Sequence, residues 1–116
     1  MAFEIPVLRW TRNAGEALPL SYICLKLDTT VDGNAFIQAT AGGAIVGVGQ
    51  MNVLINQEIV LESKGLTKVV LGATVTPGIL LEVDGSGRAI PKTTGATIGY
   101  AVVGGAVNEI GTMLLV

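Results

Sequence analysis

The apolar residues of this chain come in short runs, and each run is followed by a turn rich in Gly, Pro, Asn or Asp. In the run 58–63 the pattern alternates, because Ile59 and Leu61 fall on one side and Val60 and Glu62 on the other. Alternation of this kind indicates a β-strand with one buried face. No segment keeps an apolar period of 3.6 residues, so the pattern predicts strands rather than amphipathic helices.

Turns recur about every 8–12 residues, a spacing typical of a small β-sandwich or barrel. We therefore predict an all-β fold and leave open which of the two it is. A short helix near 102–108 is opposed by its two glycines. The pair Lys64-Gly65 predicts a hairpin turn between two separate strands. The predicted strands cover residues 18–27, 35–40, 44–50, 58–63, 66–71, 79–83, 88–91, 98–103 and 112–116.

Residues 31–56 recur loosely at 83–108, at a constant offset of 52 residues and without a gap. An internal copy predicts that the chain builds one supersecondary unit twice, and we expect the two copies to pack about a pseudo-twofold axis. The matching residues are Val31-Asp32-Gly33 with Val83-Asp84-Gly85, Gly43-Ala44 with Gly95-Ala96, Gly47 with Gly99, and Asn56 with Asn108.

Residues 1–16 differ from the rest and predict an extended N-terminal arm, with a short strand near 5–8, ahead of a single β domain over 17–116. The arm holds the aromatic and basic cluster Arg9, Trp10 and Arg12. One interpretation places Trp10 in the core of the domain with its arginines in solvent. We favour the other, in which the three residues form a protein interface, because Trp and Arg are enriched there.

The composition narrows the possible partners. The net charge of −2 offers no basic surface for a phosphate backbone, so we expect no nucleic-acid partner. Sixteen glycines and few aromatic residues favour stabilisation by association, which predicts a homo-oligomer. The start of the chain lacks the features of a signal peptide. The uncharged stretch 34–57 is better explained by strands divided by glycine turns than by a membrane span.

The sequence shows no catalytic, metal or cofactor motif. It contains no histidine, and its single cysteine, Cys24, lies in an apolar run that indicates a buried hydrophobic residue. Asp32 and Asp84 could each offer a calcium ligand, but Asp-Gly is also ordinary turn chemistry, which we favour. The run 47–49 could suggest a phosphate loop, yet it lacks a following helix and indicates close strand packing. We expect that the protein is not an enzyme.

Taken together, these residues resemble the small capsid cement, or head decoration, proteins of tailed bacteriophages. The resemblance runs over about residues 14–116, on motifs made of common residues. Departures are the Trp10-bearing arm and the pair Gly49-Gln50. The residues that carry it are Ala14-Gly15-Glu16, the strand 21–28, Gly47-Val48-Gly49-Gln50, the segment 58–62, Gly72 to Gly78, Leu80 to Val83, Asp84-Gly85-Ser86-Gly87-Arg88-Ala89, Ile98-Gly99-Tyr100-Ala101, Asn108-Glu109 and the terminal strand.

The resemblance implies a structural virion protein without a cofactor. Such a protein is made in the host cytoplasm, binds the outer face of the phage shell and stabilises it by bridging subunits of the major capsid protein, often as a trimer. Deleting residues 2–12 is then expected to abolish shell binding and to leave the β fold intact. Two alternatives remain. A stand-alone β module could bind a glycan or host receptor through exposed aromatics, and an enzyme would need a carboxylate site.

Overall fold

The computed structural model describes residues 2–28 and 35–116 of the chain. Within these residues there are strands, turns and loops but no helix, so the predicted all-β fold is confirmed. The strands are numbered here in chain order. They are β1 Ile5–Ala14, β2 Ile23–Leu27, β3 Ala35–Gln38, β4 Gly47–Gly49, β5 Glu58–Val70, β6 Leu80–Val83, β7 Ala89–Pro91, β8 Gly99–Val103 and β9 Ile110–Leu115.

The first five strands close into a barrel. They pair in the order β1-β3-β2-β4-β5, and β1 also pairs with β5, which completes the ring. β1 runs parallel to β3 and antiparallel to β5. The contact between β1 and β3 is short, with Asn13 opposite Ala35 and Ala14 opposite Phe36, so the ring closes at the end of β1. We call this barrel, residues 5–63, the first unit.

The remaining strands repeat the same plan, and we call residues 64–115 the second unit. The second half of β5 pairs with β9, and the sheet continues through β8 and β6 to β7. A parallel bridge from Ala89 in β7 to Leu71, directly after β5, brings the last strand back to the first. β6 lies between β7 and β8 as β2 lies between β3 and β4. The strand β5 therefore ends one unit and begins the other.

Equivalent residues of the two units keep the same backbone details. The loop before β5 and the loop before β9 each contain an asparagine at a φ of 67°, Asn56 in one and Asn108 in the other. Each loop also closes on the side chain of the residue that follows its asparagine. Gln57 Oε1 accepts a hydrogen bond from the Leu54 amide at 2.8 Å, and Glu109 Oε1 accepts one from the Ala106 amide at 2.6 Å.

The internal repeat is thus visible in the strand pairing, and it is larger than the segments 31–56 and 83–108. The pairing extends the repeat to the first strand of each unit, which is β1 in the first unit and the second half of β5 in the second. Trp10 of β1 pairs with Leu61, and Thr67 of β5 pairs with Met113 at the equivalent positions. The turn 31–33, which carried the first match in the sequence, lies outside the described residues. The twofold relation between the copies stays a prediction.

Residues 5–14 do not leave the domain as an arm. They form a ten-residue strand, longer than the predicted 5–8, and pair with β5 from Ile5 opposite Leu66 to Asn13 opposite Glu58. The pairing supplies partners for backbone groups that a free arm would expose to water. Because β1 closes the first barrel, its removal would open that barrel. The structure therefore does not support the expectation that deletion of residues 2–12 leaves the fold intact.

The hairpin predicted at Lys64-Gly65 is wrong. One continuous strand of 13 residues runs from Glu58 to Val70 through this point. Gly65 has a φ of 101° and lies opposite an irregularity in β1 at Pro6 and Leu8. An extra residue opposite a positive-φ glycine bends a strand without ending it. The sequence signal for a turn was in fact the signal for a bulge.

The described residues form two apolar clusters, one centred on each unit. The interior of the first barrel holds Phe36, Leu25, Leu61 and further side chains, with Trp10 packed against them. The second cluster contains Leu81, Met113 and their neighbours. Burying one large aliphatic or aromatic side chain stabilises a protein by about 1.5–3 kcal/mol. Two clusters of this kind account for a stable body despite the low aromatic content.

Candidate docking surfaces

The predicted interface residues Arg9, Trp10 and Arg12 all lie on β1, but they do not form one exposed patch. Trp10 is half-buried, and its ring meets Phe36 edge-on at 5.1 Å between centroids. Its indole Nε1 donates a 2.6 Å hydrogen bond to Ser63 Oγ. The interpretation that Trp10 belongs to the domain core therefore fits its contacts better than the interface interpretation.

Arg9 is held by two carboxylates. Its Nε lies 3.2 Å from Glu62 Oε1, and its Nη2 lies 3.3 Å from Glu4 Oε1. Glu4 Oε2 in turn accepts hydrogen bonds from the Thr67 hydroxyl at 3.2 Å and the Lys68 amide at 3.1 Å. This network fastens the start of the chain to β5. Arg9 thus ties β1 to the body of the protein, although part of its guanidinium remains accessible.

Glu62 is the unusual member of this network. Its side chain is fully buried, and no described donor lies within hydrogen-bond reach of its Oε2. Burial raises the pKa of its carboxyl, and the hydrogen bond and positive charge of Arg9 only partly offset that rise. The carboxylate serves to position Arg9 and is closed to solvent, so it offers no accessible acid or base.

Arg12 is exposed and lies over the Trp10 ring, with its guanidinium carbon 5.7 Å from the centroid. It makes no ion pair with any residue of the described ranges. The loop between β4 and β5 is tied to the same end of β1, because the Asn56 amide donates to the Ala14 carbonyl at 2.9 Å and the Ala14 amide donates to the Gln57 carbonyl at 2.8 Å.

This loop presents Leu54 and Ile55 to solvent, at 66% and 57% exposure. Exposed aliphatic side chains at the tip of a loop mark a candidate contact for another protein, and arginine is enriched in such contacts. We call Leu54, Ile55 and Arg12 the loop surface. The sequence pattern did not single out these two apolar residues, because they lie outside the predicted strands and carry no motif.

A second surface crosses the sheet on the outside of the second unit. Cross-strand pairing places Ile5 opposite Leu66, Leu66 opposite Leu114, Leu114 opposite Tyr100, and Tyr100 opposite Leu80. Paired residues point to the same face of a sheet. Leu114, Tyr100 and Leu80 are 44–48% exposed, and Ile5 is 57% exposed. We call these five residues the apolar row. Nothing in the sequence brings them together, because they come from five strands.

The residues considered for other chemistry have structural roles. Cys24 is buried, and burial raises the pKa of its thiol to about 12, which makes it an inert apolar residue. Asp84 caps its own turn, accepting hydrogen bonds from the Ser86 and Arg88 amides at 2.8 and 2.9 Å. A Cβ added at Gly47 would lie 2.4 Å from the Glu62 carbonyl oxygen, which confirms close strand packing there. Asp32 lies outside the described residues.

The described residues contain no cluster of three or more Cys, Asp or Glu side chains that could hold a metal ion. They also include no helix with the length and apolar character needed to cross a membrane. Phe36 is fully buried, and the aromatic side chains exposed in the described part are Phe3 and Tyr100. A receptor or glycan site lined by aromatics is therefore not favoured by any feature of this surface.

The sequence matches no protein-family model and no curated protein. Among solved structures, the chain is similar to the N-terminal base of the head fiber protein gp8.5 of bacteriophage phi29. The TM-score is 0.80 at 18% sequence identity, and the match covers 94% of this chain and 93% of the other. The two chains share their fold over nearly their whole length.

Proposed function

We propose that this chain is a structural virion protein of a tailed bacteriophage, which attaches to the outer face of the capsid and has no catalytic role. The observation that carries the proposal is the likeness of fold to the base of a phage head fiber, over almost all of both chains. The resemblance of residues 14–116 to head decoration proteins points to the same location by a separate route.

We further propose that the protein stabilises the shell by bridging neighbouring subunits of the major capsid protein. Two closed β units that share a strand form a body suited to bear load between two contacts. The exposed apolar and cationic side chains of the loop surface, Leu54, Ile55 and Arg12, are suited to dock on another protein. In this proposal Arg12 contacts the shell, whereas Arg9 and Trp10 hold β1 in the position that presents it.

We expect the bound form to be a homotrimer, with synthesis in the host cytoplasm before attachment. Three linked copies would bind a shell of repeated sites with higher avidity than one copy, because the second and third contacts form within an already bound assembly. A weak contact through each loop surface would then suffice for stable attachment.

The test is co-sedimentation of the purified protein with empty heads assembled from the coat protein of the same genome. The Ile55→Glu variant should reduce bound protein at least about tenfold, because a charge replaces an apolar contact at the centre of the interface. The matched control is Val107→Glu, since Val107 holds the same loop position in the second unit and is similarly exposed, at 51% against 57%. It should bind as the unaltered protein does.

Absence of the unaltered protein from the head fraction would overturn the proposed function. Equal binding by the Ile55→Glu and Val107→Glu variants would overturn the assignment of the loop surface. Circular dichroism of each variant establishes that the β fold is retained before binding is compared.

A further inference from the structure

β1 has a neighbouring strand along the whole of only one of its two edges. On that edge it pairs with β5 from Ile5 to Asn13. On the other edge β3 pairs only with Asn13 and Ala14, and no strand of the described ranges pairs with residues 5–12 there. Eight of the ten residues of β1 are exposed, against two of the thirteen in β5, which has strands on both edges. We call this side of residues 5–12 the open edge.

Two hydrogen bonds at the end of β1 show which backbone groups the open edge presents. The Ala14 amide donates to the Gln57 carbonyl, on the side of β5, at 2.8 Å. The Gly15 amide donates to the Phe36 carbonyl of β3, on the opposite side, at 2.8 Å. Successive residues of a strand direct their backbone groups to opposite edges.

By this alternation the amides and carbonyls of Trp10 and Arg12 face β5, whereas those of Arg9 and Thr11 face the open edge. No backbone group of residues 2–28 or 35–116 bonds to Arg9 or Thr11 from that side. Each of these groups is a strong donor or acceptor, and it is satisfied only by water or by an incoming chain.

The second unit shows what such an edge accepts. Arg9 pairs with Glu62 at the position where Leu66 pairs with Leu114, so the open edge of β1 corresponds to the edge of β5 that faces away from β9. In β5 that edge is occupied, because residues 5–9 of β1 run antiparallel along it from Leu66 to Glu62. The occupant of the equivalent edge is therefore an extended strand held by backbone pairing.

The side chains along the open edge favour a partner that is both apolar and acidic. Val7 and Leu8 are 74% and 45% exposed. β1 contains Arg9 and Arg12 and no Asp or Glu. Arg12 is exposed, and Arg9 keeps 40% of its side-chain surface accessible beside its two carboxylates. On the β5 side the residue opposite Arg9 is Glu62, so the strand already accepts a carboxylate across from its arginine.

We propose that the open edge of β1 is a docking site for an extended acidic segment of another protein, which adds to the sheet as a further strand antiparallel to β1. Backbone hydrogen bonds to Arg9 and Thr11 hold the segment, and its carboxylates lie near Arg12 and the accessible part of Arg9. This inference rests on strand pairing within the chain and holds whether or not the protein binds a capsid.

Amide hydrogen exchange, followed residue by residue by NMR, tests the edge itself. In the free protein the amides of Arg9 and Thr11 should exchange at least about tenfold faster than those of Trp10 and Arg12, which bond to β5. Equal protection of all four amides would show that the edge is already paired and would overturn the inference.

The probe for docking is a synthetic peptide with blocked ends and the sequence of residues 58–63, the acidic part of β5 that pairs with the other edge of β1. Added to the protein, it should slow exchange at Arg9 and Thr11 at least about tenfold and leave Trp10 and Arg12 unchanged. The matched control peptide carries lysine in place of both glutamates and should bind at least about tenfold more weakly.

A proline variant separates docking at the edge from closure of the barrel. Thr11→Pro removes an amide that faces the open edge and none that bonds to β5, so the fold should be retained while peptide binding falls at least about tenfold. Thr11→Val keeps the amide and should bind the peptide as the unaltered protein does. Circular dichroism checks the fold, and Arg12→Glu, which should reverse the preference between the two peptides, replaces Thr11→Pro if that variant is unfolded.

Three outcomes of the peptide experiments contradict the inference. They are unchanged exchange at Arg9 and Thr11 in the presence of the acidic peptide, equal binding of the acidic and lysine peptides, and equal binding by Thr11→Pro and Thr11→Val. These experiments contain no capsid, so they decide the docking of a strand alone. The proposed attachment to the shell keeps its own test, the comparison of Ile55→Glu with Val107→Glu.

Discussion

Two buried glutamates respond to pH in opposite directions because their surroundings differ. Glu82 accepts hydrogen bonds from the Thr93 amide and hydroxyl and from the Gly95 amide, and the Thr93 amide is the largest of the causes that lower its pKa. Glu62 loses hydration on burial, which raises its pKa. The first carboxylate stabilises the folded state, and the second costs it stability.

The sign of the pH dependence follows from linkage. The contribution of Glu82 is present above its unfolded pKa near 4.5 and is lost as the pH falls through its lowered folded pKa. The penalty from Glu62 is absent below pH 4.5 and becomes complete as the pH rises through its raised folded pKa. Relative to the unaltered protein, Glu82→Gln should therefore lower Tm more at pH 7 than at pH 4. Glu62→Gln should raise Tm, relative to the unaltered protein, more at pH 7 than at pH 4. Thermal unfolding by circular dichroism measures both, and equal signs would contradict the assignment.

The surroundings of Trp10 differ from what its neighbours in the sequence suggested. Its Arg neighbours suggested an interface, and its contacts with Phe36 and Ser63 tie it to the first barrel instead. The equivalent position in the second unit is Thr67, opposite the larger Met113. The sequence could in principle have shown that Trp10 is a core residue, because alignment of the first unit with the second places Trp10 at the position of the buried Thr67. The matching segments in the sequence began only at residue 31, so the equivalence was not visible.

At the level of elements, β5 decides the architecture. It is long enough to serve two units, and Gly65 lies where it passes from one unit to the other, opposite the irregularity in β1 at Pro6 and Leu8. A Cβ at residue 65 would lie 2.4 Å from the Ile5 carbonyl oxygen and 2.8 Å from the Val7 amide nitrogen. Both the positive φ and the close approach of β1 therefore require glycine at this point.

Gly65→Ala should destabilise the protein by about 2–3 kcal/mol, from a left-handed backbone position combined with a backbone clash. The matched control is Lys64→Ala at the neighbouring exposed position, which should change the free energy of unfolding by less than about 0.5 kcal/mol. Urea denaturation followed by circular dichroism gives both values. A Gly65→Ala variant as stable as the control would show that the bulge can be relaxed without cost.

At the scale of the whole molecule, the shared strand couples the two units. Neither barrel can lose its part of β5 without disturbing the other, and the second cluster includes side chains of the first unit. The protein should therefore behave as one cooperative body in solution. This rigidity also supports the proposed role, because a bridge between shell subunits must resist being pulled apart at its middle.

Unfolding should accordingly occur in a single transition. The chain has one tryptophan, so fluorescence reports on the first unit alone, whereas far-UV circular dichroism reports on both units. The two urea curves should have the same midpoint, as a two-state transition requires. A fluorescence change complete before half of the circular dichroism signal is lost would show that the second unit folds independently.

The sequence by itself determined the β class, most strand positions, the buried state of Cys24 and the existence of a repeat. These follow from local rules, because alternation, turn residues and apolar runs act over a few neighbouring positions. Only the tertiary structure decided that β1 closes a barrel, that Gly65 lies opposite an irregularity in β1 and that the five residues of the apolar row lie side by side. Those features depend on which distant strands pair. Pairing is set by the summed burial of the whole sheet, which no single segment encodes.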